Sequence, residues 1–156
     1  MAGLKVLGTA GAGASYARSL GADEVVDYRG KSTDELAAAL KSAAEKLFGS
    51  SGTWYMYDGV STKESIETLA SVLQPSGGTI ATVWLPGNEA PANVKVDNVK
   101  VSTAHNVDTK FAEEWFGKFG QWLESGELKA NNVKIVPGGL AGVEEGMRLL
   151  KEGERN

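Results

Sequence analysis

The chain has 156 residues, 42% of them hydrophobic and 23% charged, with a formal net charge of -4. This length suits one globular domain, and the balance of residues excludes intrinsic disorder and gives no electrostatic basis for binding nucleic acid. The lack of cysteine excludes disulfides and thiolate metal sites, and no metal site is expected. No apolar run is long enough to span a membrane and no secretory signal is visible, which predicts a cytoplasmic protein.

The first part of the chain alternates predicted strands with predicted helices. Residues 4–8 and 24–28 are apolar runs typical of strands, and they bracket a helical stretch over residues 14–20. The Ser-x-x-Glu sequence that starts at Ser32 has the spacing of a capping box, which predicts a helix that continues to Phe48.

The alternation continues in the middle of the chain. Residues 53–58 are a predicted strand, and a second Ser-x-x-Glu box at Ser61 predicts a helix to about Gln74. Residues 79–85 form an almost uninterrupted apolar strand, of the kind that is buried on both faces of a parallel sheet. This spacing predicts an α/β fold with a mainly parallel sheet, in which ligands bind beyond the carboxyl ends of the strands.

The pattern changes after Pro91. The valine-rich stretch from Val94 to Thr103 predicts either an edge strand or a strand that pairs with a partner. Behind Asp108, aromatic residues recur at helical spacing, which predicts a helix with one aromatic face; such spacing is more typical of packing than of a ligand-binding wall. A short strand over residues 133–136 and a helix over residues 141–151 follow.

Three glycines mark the turn between the first predicted strand and helix. Gly8, Gly11 and Gly13 lie where a dinucleotide phosphate loop would lie. Their Gly-x-x-Gly-x-Gly spacing differs from the Gly-x-Gly-x-x-Gly of such a loop, so a plain tight turn is the alternative interpretation. Asp27, at the end of the second predicted strand, is a candidate for a ribose-binding acid.

Longer strings of sequence resemble a known family. Lys5-Val-Leu-Gly-Thr-Ala and the string Ser-Leu-Gly-Ala-Asp-Glu-Val-Val-Asp-Tyr-Arg that ends at Arg29 resemble the second strand, second helix and third strand of zinc-independent, quinone-oxidoreductase-like medium-chain dehydrogenases/reductases. Strings that begin at Tyr57, Leu73 and Val136 are similar to later segments of the same branch, most closely of fungal trans-acting enoyl reductases. These are Tyr-Asp-Gly-Val-Ser-Thr-Lys-Glu-Ser, Leu-Gln-Pro-Ser-Gly-Gly-Thr and Val-Pro-Gly-Gly-Leu-Ala-Gly-Val-Glu-Glu-Gly-Met-Arg.

The resemblance implies a Rossmann-like, doubly wound, mainly parallel sheet that lacks the family's first strand and its glycine-rich loop. It implies one partial nucleotide-binding domain over residues 1–156, truncated at both ends, with about residues 126–156 resembling the return toward an absent catalytic lobe. In the strand order 3-2-1-4-5-6 the missing strand is central. Three arrangements could compensate for the missing strand: its two neighbours pair directly, another chain supplies a strand, or the exposed edges are buried in an oligomer.

We expect rearrangement together with a homodimer. The last strand of this sheet pairs across a dimer interface in the relatives, which implies that the stretch from Val94 to Thr103 does so here. A solvated edge strand, protected by Lys95 and Lys100, is the alternative.

The family also implies an activity and a cofactor. A member of this branch is an oxidoreductase that transfers hydride from NADPH to an enone, a quinone or an enoyl group. NADP(H) is therefore the expected cofactor, bound weakly or no longer bound. By position in the family's motifs, the cofactor-binding residues are Thr9, Ala10, Gly11, Arg18, Tyr28, Asp58, Gly59, Val60, Val83, Trp84 and Leu85.

These residues divide by the part of the cofactor that they would contact. Residues 9–11 would receive the adenosine ribose phosphate, with Tyr28 packed against it and Arg18 paired with a 2'-phosphate. Residues 58–60 would form a turn at the edge of the cofactor, and residues 83–85 would flank the nicotinamide. Structural alternatives exist: a solvated Arg18, an Asp58 that only stabilises its turn, and a Trp84 that belongs to the core.

No catalytic residue is identified. His105 is the one histidine, but its polar surroundings are typical of a surface loop. Complete hydride transfer needs the phosphate loop and a substrate lobe, so two alternatives stay open for this chain. One is a non-catalytic dimerising or partner-binding module, and the other is a cofactor-free activity in the vacated cleft.

Overall fold

The computed structural model describes residues 3–50, 54–83 and 90–152. The chain divides into two compact units, Met1–Glu114 and Trp115–Asn156. The first unit contains all the strands found in the described ranges, and none of the described helices is long and apolar enough to cross a lipid bilayer.

The first unit begins with a parallel β-α-β arrangement, as predicted. Strand β1 (Leu7–Ala10) pairs with β2 (Glu24–Asp27), and helix α1 (Ala14–Ser19) connects them. β1 begins later than the predicted residue 4. The amide of Val6 donates to a carboxylate oxygen of Asp23 at 2.7 Å and its carbonyl accepts from the Asp23 amide at 2.9 Å. Because the amide and the carbonyl of Val6 are both bonded to Asp23 in the turn before β2, the ladder between β1 and β2 starts at Leu7.

Helix α2 (Thr33–Phe48) has both ends that the sequence predicts. The Ser32 hydroxyl accepts from the Glu35 amide at 3.3 Å, and the Glu35 carboxylate accepts from the Ser32 amide at 2.8 Å. This capping box satisfies two amides that the first helical turn leaves unpaired, and the hydrogen bonds from Ser32 lower the pKa of Glu35. The helix ends at Gly49, whose φ of 83° favours glycine.

Replacement of Ser32 by alanine is expected to lower the free energy of unfolding by about 1 kcal/mol, because the Glu35 amide loses its acceptor. Urea denaturation followed by circular dichroism measures this change. Ser42→Ala, an exposed position within the same helix, is the matched control and is expected to have no destabilising effect, since alanine is the better helix former. Equal losses for both variants would contradict the capping role.

The rest of the first unit is built around a three-stranded parallel sheet. Strand β3 (Tyr55–Asp58) leads into helix α3 (Lys63–Val72), which is followed by β4 (Gly78–Thr82) and β5 (Val94–Asn98). The strand order is β3-β4-β5, so β5 is an edge strand of the described sheet, as predicted. The core between this sheet and α3 consists of Ile66, Ala70, Leu73, Ile80 and Val94. The strand ends at Asn98 rather than Thr103, because Val101–His105 turn into a 3-10 helix.

The two sheets confirm the expected Rossmann-like α/β fold and show its unusual feature. β2-β1 and β3-β4-β5 are separate parallel sheets, which matches the order 3-2-1-4-5-6 without strand 1. Direct pairing of β1 with β3, one of the expected replacements, is therefore wrong for the described strands. Helix α2 packs against both sheets: Ala37 and Leu40 belong to one cluster with Leu7, Val26, Trp54 and Met56. The two sheets are thus joined through α2 instead of through a shared ladder.

Helix α4 (Thr109–Ser125) carries the predicted aromatic face, on which the ring centroids of Trp115 and Trp122 lie 5.7 Å apart and those of Phe119 and Trp122 lie 5.8 Å apart. Helix α5 (Val143–Lys151) follows a short 3-10 turn and begins two residues later than predicted. The predicted strand over residues 133–136 is wrong. Val133 and Ile135 are 83% and 86% exposed, and the segment has no ladder partner in the described part of the chain. A strand needs a neighbour to satisfy its backbone, and local sequence does not provide one.

Candidate functional site

The carboxyl ends of β1 and β2 bring together the first group of predicted residues. The parallel register places Ala10 beside Asp27, so the loop after β1 lies next to Tyr28 and Arg29. Gly11 is buried in this loop, and a Cβ atom at that position would lie 3.0 Å from Cδ of Arg29. Thr9 is exposed, Ala10 is half-buried and Tyr28 is 50% exposed. The loop expected to receive the ribose phosphate therefore lies directly under the Arg29 side chain.

Asp27 holds Arg29 in this position. Oδ1 of Asp27 accepts from the backbone amide of Arg29 at 2.9 Å and from its Nε at 3.1 Å, and Oδ2 accepts from Nη2 at 2.6 Å. Chiefly because of the side-chain hydrogen bond from Arg29, the pKa of Asp27 falls to about 2, and the same contact raises the pKa of Arg29. At neutral pH both groups are therefore charged, and the guanidinium is oriented by two of its nitrogens.

Arg18, the cation that the family resemblance assigns to a 2'-phosphate, has other partners. Its Nη2 donates to a carboxylate oxygen of Glu24 at 3.3 Å and to the carbonyl of Val25 at 3.2 Å. The hydrogen bond that Glu24 receives from the Val25 amide and the one from Arg18 lower the pKa of Glu24. Arg18 thus ties α1 to β2, a structural role that the sequence did not predict; its role toward a phosphate stays a prediction.

The second group lies at the carboxyl end of β3. Asp58 is 5% exposed, and its Oδ1 accepts from the amides of Val60 at 2.9 Å and Ser61 at 3.0 Å. Its Oδ2 accepts from the Ser65 hydroxyl at 2.5 Å. These three bonds explain why a carboxylate is buried here and fix the turn that contains Gly59. The role of residues 58–60 at the edge of a cofactor stays a prediction.

Ser61 connects this turn to the strand beside it. Its hydroxyl donates to the Asp58 carbonyl at 2.9 Å and accepts from the Val83 amide at 3.1 Å, so the residues that follow β3 and β4 are clamped together. Ser61 is 3% exposed and has a φ of 56°, a left-handed conformation that is uncommon for serine. The side chains of Val60 and Val83 are exposed beside it. Trp84 and Leu85, the other residues expected near the nicotinamide, lie outside the described residues.

The capping box predicted at Ser61 is wrong by one residue. Thr62 is the N-cap of α3, and its hydroxyl accepts from the Ser65 amide at 3.2 Å while the Ser65 hydroxyl accepts from the Thr62 amide. The reason is that Ser61 uses its hydroxyl for Asp58 and Val83. Sequence reasoning therefore placed Ser61 among the caps and missed its link between the two turns.

Other parts of the first unit are weaker candidates for a functional site. A pocket of about 390 Å³ lies between α2 and α3, and its described lining, which includes Thr33, Ile66 and Gln74, contains none of the predicted cofactor residues. In the ranges that the structure covers, no three His, Asp or Glu side chains are grouped to hold a metal ion. His105 is exposed at the end of the 3-10 helix. The two turns at the carboxyl ends of the strands are thus the candidate site.

The chain is similar to several fungal reductases. It is 31% identical over 125 residues to the trans-enoyl reductase fsr4 of Gibberella fujikuroi, an alignment that covers 77% of this chain and 35% of the relative. It is 29% identical to the trans-enoyl reductase himH of Aspergillus japonicus, over 97% of this chain and 43% of that protein. It is also 29% identical to the trans-enoyl reductase ACTTS2 of Alternaria alternata, over 98% of this chain and 46% of that protein.

The chain therefore spans less than half the length of these curated relatives. No protein-family model matches it. The matched part includes both turns of the candidate site in the two alignments that extend over nearly the whole chain.

Proposed function

Because the chain belongs to the enoyl reductase-like branch of the medium-chain dehydrogenases/reductases, we propose that it is the cofactor-binding portion of an NADP(H)-dependent oxidoreductase. The proposed substrates are enones, quinones or enoyl groups. The observation that carries the proposal is the pair of turns at the carboxyl ends of the strands, where ligands of parallel α/β sheets bind. One turn presents Arg29 and Tyr28, and the other is built on Asp58 and Ser61.

The residues of the first turn fit an adenine nucleotide. Because Gly11 has no side chain, the Arg29 side chain packs directly on this loop and brings its guanidinium, a group that suits a phosphate, beside the residues expected to receive the ribose phosphate. Tyr28 is half exposed at the end of β2, which suits contact with the flat adenosine group. The described residues therefore supply a cation and an aromatic ring for the adenosine end.

The residues of the second turn fit the other end of the cofactor. When bound, the nicotinamide supplies the hydride chemistry, and the protein positions it. Asp58 and Ser61 hold the backbone of the turn, and the exposed side chains of Val60 and Val83 offer an apolar surface that excludes water. None of these side chains donates or accepts a proton in the proposal; they bind and orient.

Titration of the purified chain with NADPH is expected to show saturable binding and a rise in melting temperature. A ligand that binds only the folded state adds about 2.7 kcal/mol of stability at a concentration of 100 Kd. Nucleotide fluorescence and thermal melting measure the two effects, with tripolyphosphate at matched ionic strength as the control for nonspecific anion binding. No binding at millimolar NADPH, or an equal response to tripolyphosphate, would contradict the proposal.

A second candidate is a non-catalytic dimerising module of the same fold. Two observations favour it: β5 is an edge strand, and α4 exposes large apolar side chains, among them Phe111 and Phe116. Dimerisation through the stretch from Val94 to Thr103 belongs to this candidate. Melting with and without NADPH distinguishes the two: a module of this kind dimerises with increasing concentration in sedimentation velocity but gains no stability from NADPH.

A further inference from the structure

The Arg29 side chain lies on the loop between β1 and α1. The nearest heavy atoms to a Cβ built at Gly11 are Cδ, Cγ and Nε of Arg29, at 3.0, 3.2 and 3.3 Å. Any larger residue at position 11 would displace this side chain. The loop after β1 and the cation after β2 therefore form one structural unit, although 18 positions separate the two residues in the sequence.

The guanidinium in this unit is positioned but still accessible. Its bonds to Asp27 run through Nε and Nη2, and the side chain is 59% exposed. A guanidinium has five N–H donors in a planar fork, so the Nη1 side can still donate to a further anion. Arg18 differs, because it is directed to the Val25 carbonyl and Glu24 on β2.

The acid in this unit is already engaged. Both carboxylate oxygens of Asp27 accept from Arg29, so they are not disposed to bind the two hydroxyls of a ribose. Lys31 lies close enough for its charge to act on Asp27. Residues 27–31 thus combine one carboxylate with two cations, a balance that favours a phosphate over a neutral hydroxyl.

We propose that Arg29, oriented by Asp27 and seated on Gly11, is the residue that recognises the 2'-phosphate of NADP(H) and sets the preference for it over NAD(H). This inference rests on the proposed function and deepens it, because it assigns the 2'-phosphate to Arg29 instead of Arg18. Arg29 contacts the ligand, and Asp27 is a positioning residue.

Isothermal titration with two fragments of the cofactor tests the assignment. Adenosine 2',5'-bisphosphate carries the 2'-phosphate and adenosine 5'-monophosphate lacks it, and neither contains the nicotinamide. The wild-type chain is expected to bind the bisphosphate more tightly. Arg29→Gln is expected to weaken bisphosphate binding about tenfold or more and to leave the monophosphate unchanged, because only the former loses a charge-assisted contact. Arg18→Gln is the matched control and is expected to retain the preference.

The inference is overturned if the wild-type chain shows no preference for the bisphosphate, or binds neither fragment. It is equally overturned if Arg18→Gln removes the preference while Arg29→Gln keeps it. Asp27→Asn is the second variant, which retains Arg29 but weakens the hydrogen bonds that orient it. We expect it to lose less affinity for the bisphosphate than Arg29→Gln does. Circular dichroism and melting of each variant confirm that the fold is intact.

The fragments separate this inference from the proposed function. Bisphosphate binding that depends on Arg29, without binding of NADPH or reduction of an enone, would support the inference and contradict a complete cofactor site. NADPH binding that is indifferent to Arg29→Gln would support the proposed function and overturn the inference.

Discussion

Replacement of Ile80 by alanine is expected to lower the free energy of unfolding by about 2–5 kcal/mol. Ile80 is 0% exposed and lies on β4, the middle strand, with Met56 of β3 and Val96 of β5 at the same level of the ladders. Ile66 of α3 belongs to the same cluster. Truncation removes apolar contacts with two neighbouring strands and a helix, and leaves a cavity that they fill only in part. Urea denaturation followed by circular dichroism measures the loss.

Ile135→Ala removes the same atoms from an exposed position and is the matched control. Ile135 is 86% exposed, so its truncation is expected to change the free energy of unfolding by less than about 0.5 kcal/mol. Similar losses for the two variants would show that the core is not centred on β4. Because Ile80 and Ile135 lie in different compact units, the comparison requires a separate signal for the unfolding of each unit.

Local features of the fold could be predicted because nearby residues determine them. The start and end of α2 follow from Ser32, Glu35 and Gly49, which all act within one helical turn of the positions they fix. β2 likewise begins at the predicted residue, and the alternation of strands and helices predicted the parallel pairing of β1 with β2 and of β3 with β4. The turns at the carboxyl ends of the strands could be predicted as the candidate site for the same reason.

Features that depend on distant partners could not be predicted. The shift of the α3 cap from Ser61 to Thr62 depends on the Val83 amide, 22 residues further along the chain from Ser61. The predicted strand over residues 133–136 has no ladder partner among the residues that the structure describes, and no local sequence pattern reports this.

Arg29 was missed for a similar reason. The signals in the sequence are the Asp-x-Arg spacing that starts at the last residue of β2 and a glycine in the loop after β1. Neither signal says that the two loops meet. The parallel register of β1 and β2, which brings Ala10 beside Asp27, is what makes the contact.

Asp58→Ala is expected to lower the free energy of unfolding by about 1–3 kcal/mol and to weaken binding of NADPH. The carboxylate is the acceptor for the amides of Val60 and Ser61 and for the Ser65 hydroxyl, and alanine leaves these donors without it. Ser61 then loses one of the bonds that hold its left-handed conformation, so the turn is expected to relax toward an ordinary backbone geometry.

The affinity for NADPH shows whether this turn serves the cofactor or only stabilises the fold. Asp34→Ala, at an exposed position in the first turn of α2, is the control: it is expected to cost less than about 1 kcal/mol and to leave NADPH affinity unchanged. Denaturation gives the stability of both variants, and nucleotide fluorescence measured well below their melting temperatures gives the affinity. If Asp58→Ala loses stability but binds NADPH as the wild type does, Asp58 only stabilises its turn, and the residues 58–60 are not part of the cofactor site. If Asp58→Ala loses NADPH affinity and Asp34→Ala does not, the turn over residues 58–60 belongs to the cofactor site. The hydrogen bond between Ser61 and Val83 then carries the change in this turn to the residues that follow β4.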